Sequence, residues 1–138
     1  MMRRDLIKDQ IEQLAKVLGM ILSDFLGLKA TGDVEEAIQT INERFQGELD
    51  LDIEKIVALH DDELSAYLTS KELHEPHLEI LAAYLTEIGI SRSSETEKAT
   101  YLNKAITLLD LADAFSKTFS FDRMNQREQI LNTLNEGR

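Results

Sequence analysis

Several residue types on which common folds and catalytic sites depend are absent or scarce in this chain. Its 138 residues include no cysteine, no tryptophan and only one proline. Without cysteine the chain can form no disulfide framework, no cysteine nucleophile and no thiolate metal cage. A chain without disulfides fits the cytoplasm, which is where we expect this protein to act, although many secreted bacterial proteins also lack cysteine.

Positive charge is scarce as well, and long apolar runs are missing. The chain carries 15 basic and 26 acidic side chains, a formal net charge of -11. Because nucleic-acid and anionic-lipid binding both depend on basic side chains, we expect neither kind of partner. The most apolar stretch, residues 17–28, contains Asp24 and is shorter than the roughly twenty residues that cross a bilayer. We therefore expect a soluble chain.

What is present suits one domain with an unevenly charged surface. Hydrophobic residues make up 43% of the chain, and this length with this content predicts a single domain over residues 1–138. Residues 31–63 carry a net charge of -9, and we call them the acidic block. Such a block is usually a solvated face; the alternative is a docking surface for a basic partner.

The balance of residue types predicts an all-α fold. Leucine occurs 21 times and valine three times, and no sustained alternation of β-branched residues indicates a strand. Most glycines follow the end of an apolar period, where glycine commonly ends a helix. These are Gly27, Gly32, Gly47, Gly89 and Gly137, whereas Gly19 lies inside a period.

The first helix is predicted from about Asp5 to Leu26, with an apolar stripe that reaches position 28. The stripe follows a strict alternation of four-residue and three-residue steps through Ile7, Ile11, Leu14, Leu18, Ile21, Phe25 and Leu28. This spacing is typical of a helix that packs along one seam. The seam is either core within one chain or, alternatively, the contact through which helix 5–28 pairs two chains into a homodimer.

Helix-capping patterns place the later elements. Asp33 with Glu36, and Ser94 with Glu97, read as capping boxes that begin two helices. The segment 50–70 is either one broken helix or two short ones.

Single residues mark the ends of the remaining helices. Pro76 fits the first turn of a helix that Gly89 ends, and Asp122 is the predicted cap of the last helix. The total is six or seven helices. Val34, Ala37, Ile38, Ile41 and Phe45 are the predicted buried face of the second helix. The apolar residues on which the other helices are predicted are Ile53, Ile56 and Val57, then Leu64, Tyr67 and Leu68, then Leu78, Leu81, Leu85 and Ile88, then Leu102, Ala105, Ile106, Leu109, Ala112 and Phe115, and finally Met124, Ile130, Leu131 and Leu134.

Two stretches resemble tetratricopeptide repeats (TPR). Residues 32–38, Gly-Asp-Val-Glu-Glu-Ala-Ile, are similar to the turn and second helix of such a repeat, and residues 101–109, Tyr-Leu-Asn-Lys-Ala-Ile-Thr-Leu-Leu, to the later part of a second helix. Their Ala-Ile pairs lie 68 residues apart, about twice the usual period of roughly 34. The resemblance implies antiparallel helices stacked as TPR-like helical hairpins, forming a scaffold that binds a protein or peptide. Residues 5–14 also resemble an uncharacterised group of small bacterial helical proteins.

The histidines His60, His74 and His77 are the candidates for metal chemistry. The run from His74 to His77 differs from the H-E-x-x-H zinc motif, because the second histidine comes one residue early and Pro76 interrupts the helix. We therefore expect an unliganded surface pair and no metal or cofactor. A metal-dependent enzyme that uses these histidines and nearby carboxylates is the least favoured of the functional hypotheses.

Other acidic and catalytic patterns are weaker. The run Asp50-Leu51-Asp52-Ile53-Glu54 lacks the glycine that a calcium loop needs at its sixth position, which is Lys55. The three carboxylates of residues 61–63 fit a solvated helix cap. No phosphate-binding loop, nucleophile elbow or dinucleotide fingerprint occurs, so we expect no enzyme.

The aromatic segment 115–121 permits two interpretations. Phe115, Phe119 and Phe121 either form a plug that packs the last helix against the core or face a partner. The leading functional hypothesis is thus a non-catalytic scaffold that binds a protein or peptide. The alternative is a structural protein that self-associates through helix 5–28.

Overall fold

The computed structural model describes the backbone of residues 2–136 and the side chains of residues 7–136. Over this range the chain forms seven helices and no strand, so the all-α prediction is confirmed. They are α1 (Met2–Thr31), α2 (Val34–Leu49), α3 (Ile53–Ala58), α4 (Asp61–Ser70), α5 (Glu75–Ser91), α6 (Glu95–Ser116) and α7 (Phe121–Glu136). Gly137, a predicted helix end, lies outside the described residues.

None of these seven helices combines the length and the apolarity needed to cross a bilayer.

Helix α1 is longer than predicted and buries only part of its stripe. It is already helical at Met2 and continues through Gly27 to Thr31, since no residue in that stretch is incompatible with a helix. Leu18, Ile21 and Phe25 are fully buried within the chain. Ile7 and Leu28 are about half exposed. The middle of the stripe is therefore core of a single chain.

Asp33 and Ser94 cap α2 and α6 as predicted, but the side chains of Glu36 and Glu97 do not bond back to the cap residues, so the predicted capping boxes are only half formed. The Asp33 carboxylate accepts the backbone N–H of Glu35 at 2.8 Å and of Glu36 at 3.4 Å. The Ser94 hydroxyl accepts the N–H of Glu97 at 3.3 Å. Since these bonds satisfy backbone donors that a helix start leaves free, the two helices have a defined first turn.

The start of α7 corrects another prediction. The helix begins at Phe121, before Asp122, and the Ser120 hydroxyl accepts the N–H of Arg123 at 3.2 Å. Two of the four apolar residues on which this helix was predicted, Met124 and Leu131, are 37% and 43% exposed. The apolar pattern alone did not reveal that a charged side chain occupies the inner face of this helix.

The segment 50–70 is resolved in favour of two short helices, α3 and α4. His60 precedes α4 in extended conformation and interrupts the helical backbone between them. Pro76 lies in the first turn of α5, as predicted. The absence of its N–H there removes no hydrogen bond from the helix.

Only one of the described glycines that the sequence places at helix ends follows a helix, since Gly32 comes directly after Thr31, the last residue of α1. Gly27, Gly47 and Gly89 lie inside helices, and none has a positive φ. The left-handed positions after α2, α4 and α6 belong instead to Asp50, Glu72 and Lys117, with φ of 53°, 59° and 57°.

Helix α5 lies at the centre of the fold. Among the described helices its contact with α6 is the most extensive, and it also contacts α1 and α7. Tyr84 of α5 is fully buried, with ring centroids 5.0 Å from Phe25 of α1 and 5.1 Å from Phe45 of α2. Its hydroxyl donates to Asn42 Oδ1 at 2.6 Å. The four predicted stripe residues of this helix, Leu78, Leu81, Leu85 and Ile88, are all buried.

Candidate functional site: an acidic groove

The polar face of α2 forms one wall of a groove of about 770 Å³. Burial of Ala37, Ile41 and Phe45 fixes the rotation of α2 and turns its glutamates and amides away from the core. The start of α3 and two side chains near the α5–α6 connection complete the site, which we call the acidic groove. It is lined by Asp33, Glu35, Glu36, Ile38, Gln39, Asn42, Glu43, Gln46, Asp52, Ile53, Glu54, Arg92 and Tyr101.

The charge of the groove is strongly negative, because its lining contains six carboxylates and a single arginine. Asp33 and Asp52 act as helix caps, and Glu35 pairs with Arg92. The other three, Glu36, Glu43 and Glu54, make no ion pair with any side chain of residues 7–136. All three are exposed. They are therefore available to a cation that enters the groove.

The guanidinium of Arg92 is a cationic group that already lies in this groove. It donates to Glu35, and its Nε lies 3.6 Å from Glu97 Oε2. The group also lies over the ring of Tyr101, 5.5 Å from the ring centroid. Carboxylates and an aromatic face together are a favourable environment for a guanidinium.

The surface of the groove is mostly polar. Its two aliphatic residues, Ile38 and Ile53, are only 5% and 3% exposed, and Tyr101 is half-buried. The half-buried ring of Tyr101 is therefore the main apolar surface that the groove offers to the aliphatic stem of a lysine or arginine.

The acidic block divides into two parts in three dimensions. The carboxylates that line the groove are those of Asp33, Glu35, Glu36, Glu43, Asp52 and Glu54. Asp61, Asp62 and Glu63 form the exposed first turn of α4 and do not line it. The residues compared with a calcium loop have separate roles, since Asp50 pairs with Lys71 at 2.8 Å and Asp52 caps α3.

The histidines are placed differently from the predicted surface pair. His77 is fully buried and His74 is half-buried, with ring centroids 6.0 Å apart. His60 lies in the turn before α4. Over residues 7–136 no three His, Asp or Glu side chains converge in a way that could hold a metal ion.

Of the two interpretations of the aromatic segment, the plug does not hold for Phe119 and Phe121, whereas Phe115 packs against the core. Phe119 and Phe121 are 68% and 70% exposed and contact each other edge-to-face at 5.0 Å. Phe115 is half-buried. The space between α7 and its neighbours is filled by Arg123 instead, whose side chain is only 6% exposed. A buried arginine needs the polar acceptors around it, and these tie down the turn that carries the two phenylalanines.

Sequence reasoning missed Arg92, Tyr101 and Arg123 as important side chains. A signal existed for Arg123, because it precedes the buried Ile130 by seven residues and thus shares its helix face. No comparable signal marks Arg92 or Tyr101, since their importance depends on contact with α2.

Comparison with known proteins adds no template for this groove. No protein-family model, curated protein or solved structure matches the chain.

Proposed function

We propose that the protein is a non-catalytic helical interaction module whose acidic groove binds a basic segment of another protein. The observation that carries the proposal is the set of three exposed carboxylates in one groove, Glu36, Glu43 and Glu54, that make no ion pair with any side chain of residues 7–136. Arg92 is an internal example of the interaction, since it sits in the same groove between a carboxylate and an aromatic ring.

The spacing of the carboxylates indicates how far apart the basic residues of a partner should lie. Glu36 and Glu43 are seven residues apart on α2, which is about 10.5 Å along a helix. In a polyproline II segment, with three residues per turn and a rise of about 3.1 Å per residue, side chains three positions apart lie on the same face about 9 Å apart. We therefore expect the partner to present two lysines or arginines three positions apart in a segment of this conformation.

The scaffold that we propose is a TPR-like stack of antiparallel hairpins. Residues 32–33 join α1 to α2, and residues 92–94 join α5 to α6, and such short connections favour antiparallel neighbours. Contacts of α1 with α5, and of α7 with both α5 and α6, support a stacking order in which α3 and α4 are inserted between two hairpins.

The Ala-Ile pairs fit this stack only loosely. Ala37 lies in the first turn of α2, whereas Ala105 lies in the third turn of α6. Both alanines are buried. The 68-residue spacing thus joins two helix interfaces and does not mark equivalent positions of a repeat.

A binding experiment with two charge-matched variants tests the function. The probe is a set of fluorescein-labelled twelve-residue peptides with lysine or arginine pairs at spacings of two to five, measured by fluorescence polarisation at physiological salt. One variant combines Glu36→Gln, Glu43→Gln and Glu54→Gln. The control combines Asp61→Asn, Asp62→Asn and Glu63→Gln, which changes the net charge equally but outside the groove.

We expect the groove variant to bind about tenfold more weakly than the parent, because each exposed ion pair contributes up to about 1 kcal/mol. The control variant should stay within about twofold of the parent. Equal weakening in both variants would show that net charge alone attracts the peptides. A parent protein that binds none of the basic peptides better than a matched acidic peptide would refute the proposal.

A further inference from the structure

Three side chains from two helices surround the guanidinium of Arg92. Glu97 and Tyr101 are four residues apart on α6 and thus share one face of that helix. Glu35 approaches the same guanidinium from the first turn of α2. The side chains of Glu35 and Glu97 are 69% and 61% exposed, whereas that of Arg92 is 16% exposed. Both carboxylates are therefore accessible to a cation from solvent.

The guanidinium of Arg92 is only partly satisfied in this place. Its Nη1 donates to Glu35. Its Nε is shielded from solvent and finds no acceptor among residues 7–136, since Glu97 Oε2 at 3.6 Å is too distant for a hydrogen bond. A buried donor without an acceptor is unfavourable, because it has lost its bond to water. A guanidinium with a better orientation would avoid this loss.

The position of Arg92 in the chain lets its side chain leave the groove without the movement of a helix. Arg92 is the first residue after α5, and its backbone N–H donates to the carbonyl oxygen of Gly89 at 3.1 Å. Its side chain reaches from there to α2 and α6. Rotation about side-chain bonds is enough to bring the guanidinium into water, and the backbone bond that ends α5 stays in place.

We propose that Glu35, Glu97 and Tyr101 form a subsite for an arginine of the partner, and that Arg92 occupies this subsite as an internal placeholder. The inference rests on the function proposed above and names the residue type that the groove selects. The guanidinium of a partner is not tethered to residue 92, so it can turn Nε and one Nη together toward a single carboxylate while its plane lies on Tyr101. A lysine ammonium has neither the plane nor this pair of donors. The subsite therefore prefers arginine to lysine.

Competition with Arg92 lowers the affinity of the groove for its partner. The arginine of the partner enters only the fraction of molecules whose subsite is vacant, and the apparent dissociation constant rises by the inverse of that fraction. An exposed ion pair and a cation–π contact together favour the occupied state by about tenfold. The other exposed carboxylates of the groove, Glu36, Glu43 and Glu54, take no part in this competition. Removal of the Arg92 side chain should therefore strengthen binding.

Fluorescence polarisation with two labelled peptides tests the placeholder at physiological salt. Both peptides have twelve residues and carry two basic residues three positions apart, which are arginines in one peptide and lysines in the other. The proteins are the parent, Arg92→Ala and Lys98→Ala. Lys98 is the matched control, because it lies on α6 outside the lining of the groove, 3.9 Å from Glu95, and its loss changes the net charge equally.

We expect Arg92→Ala to bind the arginine peptide about tenfold more tightly than the parent does. For the lysine peptide the gain should not exceed about threefold. Lys98→Ala should stay within about twofold of the parent for both peptides.

The outcomes separate the placeholder from the proposed function. If the parent binds both peptides and Arg92→Ala binds them no more tightly, the placeholder is refuted while the function stands. If neither protein binds either peptide, both proposals are refuted. Equal gains in Arg92→Ala and Lys98→Ala would show that Arg92 acts through net charge alone. Equal gains for the two peptides would contradict a subsite that selects arginine.

A nuclear magnetic resonance titration of the parent tests the same displacement without a variant, in case Arg92→Ala does not fold. The Nε–H of Arg92 is shielded from solvent in the free protein, so its hydrogen should exchange slowly with water. Exchange should become several-fold faster when the arginine peptide saturates the groove. Unchanged exchange in the saturated complex would show that Arg92 stays in place, and this would overturn the proposal.

Discussion

At the scale of single residues, Gly89 shows how closely two helices approach. A Cβ at this position would lie 3.0 Å from Leu102 Cδ2 on α6, and Leu102 is fully buried. Glycine here permits the contact of α5 with α6 at the cost of helix propensity.

We predict that Gly89→Ala destabilises the protein by about 1 kcal/mol. Overpacking against Leu102 costs about 1–3 kcal/mol, and the better helix propensity of alanine recovers about 1 kcal/mol. Gly19→Ala is the matched control, because a Cβ on Gly19 of α1 meets no atom within 4 Å. It should stabilise the fold by roughly 0.5–1 kcal/mol. Urea unfolding followed by circular dichroism measures both changes in stability. A gain in stability for Gly89→Ala would show that Leu102 and α6 can move to make room for the added methyl group.

Residue-scale predictions from the sequence succeed where the cause is local. Asp33 and Ser94 were identified as caps because a cap bonds to backbone two or three residues away. Gly89 was misread as a helix end, since its role depends on Leu102, which is distant in sequence. The burial of His77 was missed for the same reason, because its partner is Ile11.

At the scale of elements, α7 is held by a buried arginine. Arg123 donates to Asp113 Oδ1 at 2.6 Å, to Glu79 Oε1 at 3.4 Å, and to both Ser116 Oγ and the Thr118 carbonyl oxygen at 3.1 Å. One side chain therefore ties α7 to α6, to α5 and to the turn between α6 and α7.

We predict that Arg123→Met lowers the free energy of unfolding by about 3 kcal/mol, because it removes one partner of a buried polar network. Hydrogen exchange should accelerate most in α7. Arg127→Met is the comparison, since Arg127 pairs with Asp110 and Asp113 but its side chain is 23% exposed. Its loss should cost about 1 kcal/mol. Equal losses in the two variants would contradict the assigned role of Arg123.

Predictions about whole elements were correct where the apolar pattern of a segment is enough to show which of its residues are buried. The stripe of α5 was predicted fully, because a helix surrounded by other helices buries most of its apolar positions. For Phe119 and Phe121 the sequence left a core plug and a partner-facing patch open, and their exposure excludes only the plug. Aromatic residues next to a helix start do not indicate which way the turn faces. For the acidic groove, the charge of α2 was apparent from the sequence, but its opposite wall of Arg92 and Tyr101 was not.

At the scale of the whole molecule, one cluster of buried side chains joins the helices. It extends from Leu18 of α1 through α2, α3, α4, α5 and α6 to Ile130 of α7. Because the core is continuous over the described residues, a charge placed inside it should affect every element.

We predict that Leu18→Asp unfolds the protein or lowers its stability by more than about 4 kcal/mol, because the carboxylate would be buried without a partner. Met20→Asp is the control on the same helix, since Met20 is 65% exposed. Its effect should stay within about 0.5 kcal/mol. Thermal unfolding followed by the helical circular dichroism signal measures the stability of both variants. A melting temperature of Leu18→Asp equal to that of the parent would show that Leu18 is not part of the core.

The contacts of Tyr84 with Phe25 and Phe45 should give the protein a near-ultraviolet circular dichroism signal that reports on its core. The chain has no tryptophan and three tyrosines, of which Tyr67 and Tyr101 are half-buried and Tyr84 is fully buried between Phe25 and Phe45. An immobilised ring in asymmetric aromatic surroundings gives a near-ultraviolet dichroic band that a mobile ring lacks. Tyr67, which bonds to the N–H of Asp52, and Tyr101, which lies under Arg92, contribute to the same band. A partial loss of the band while the helical signal persists is therefore expected when α1 and α2 separate from α5.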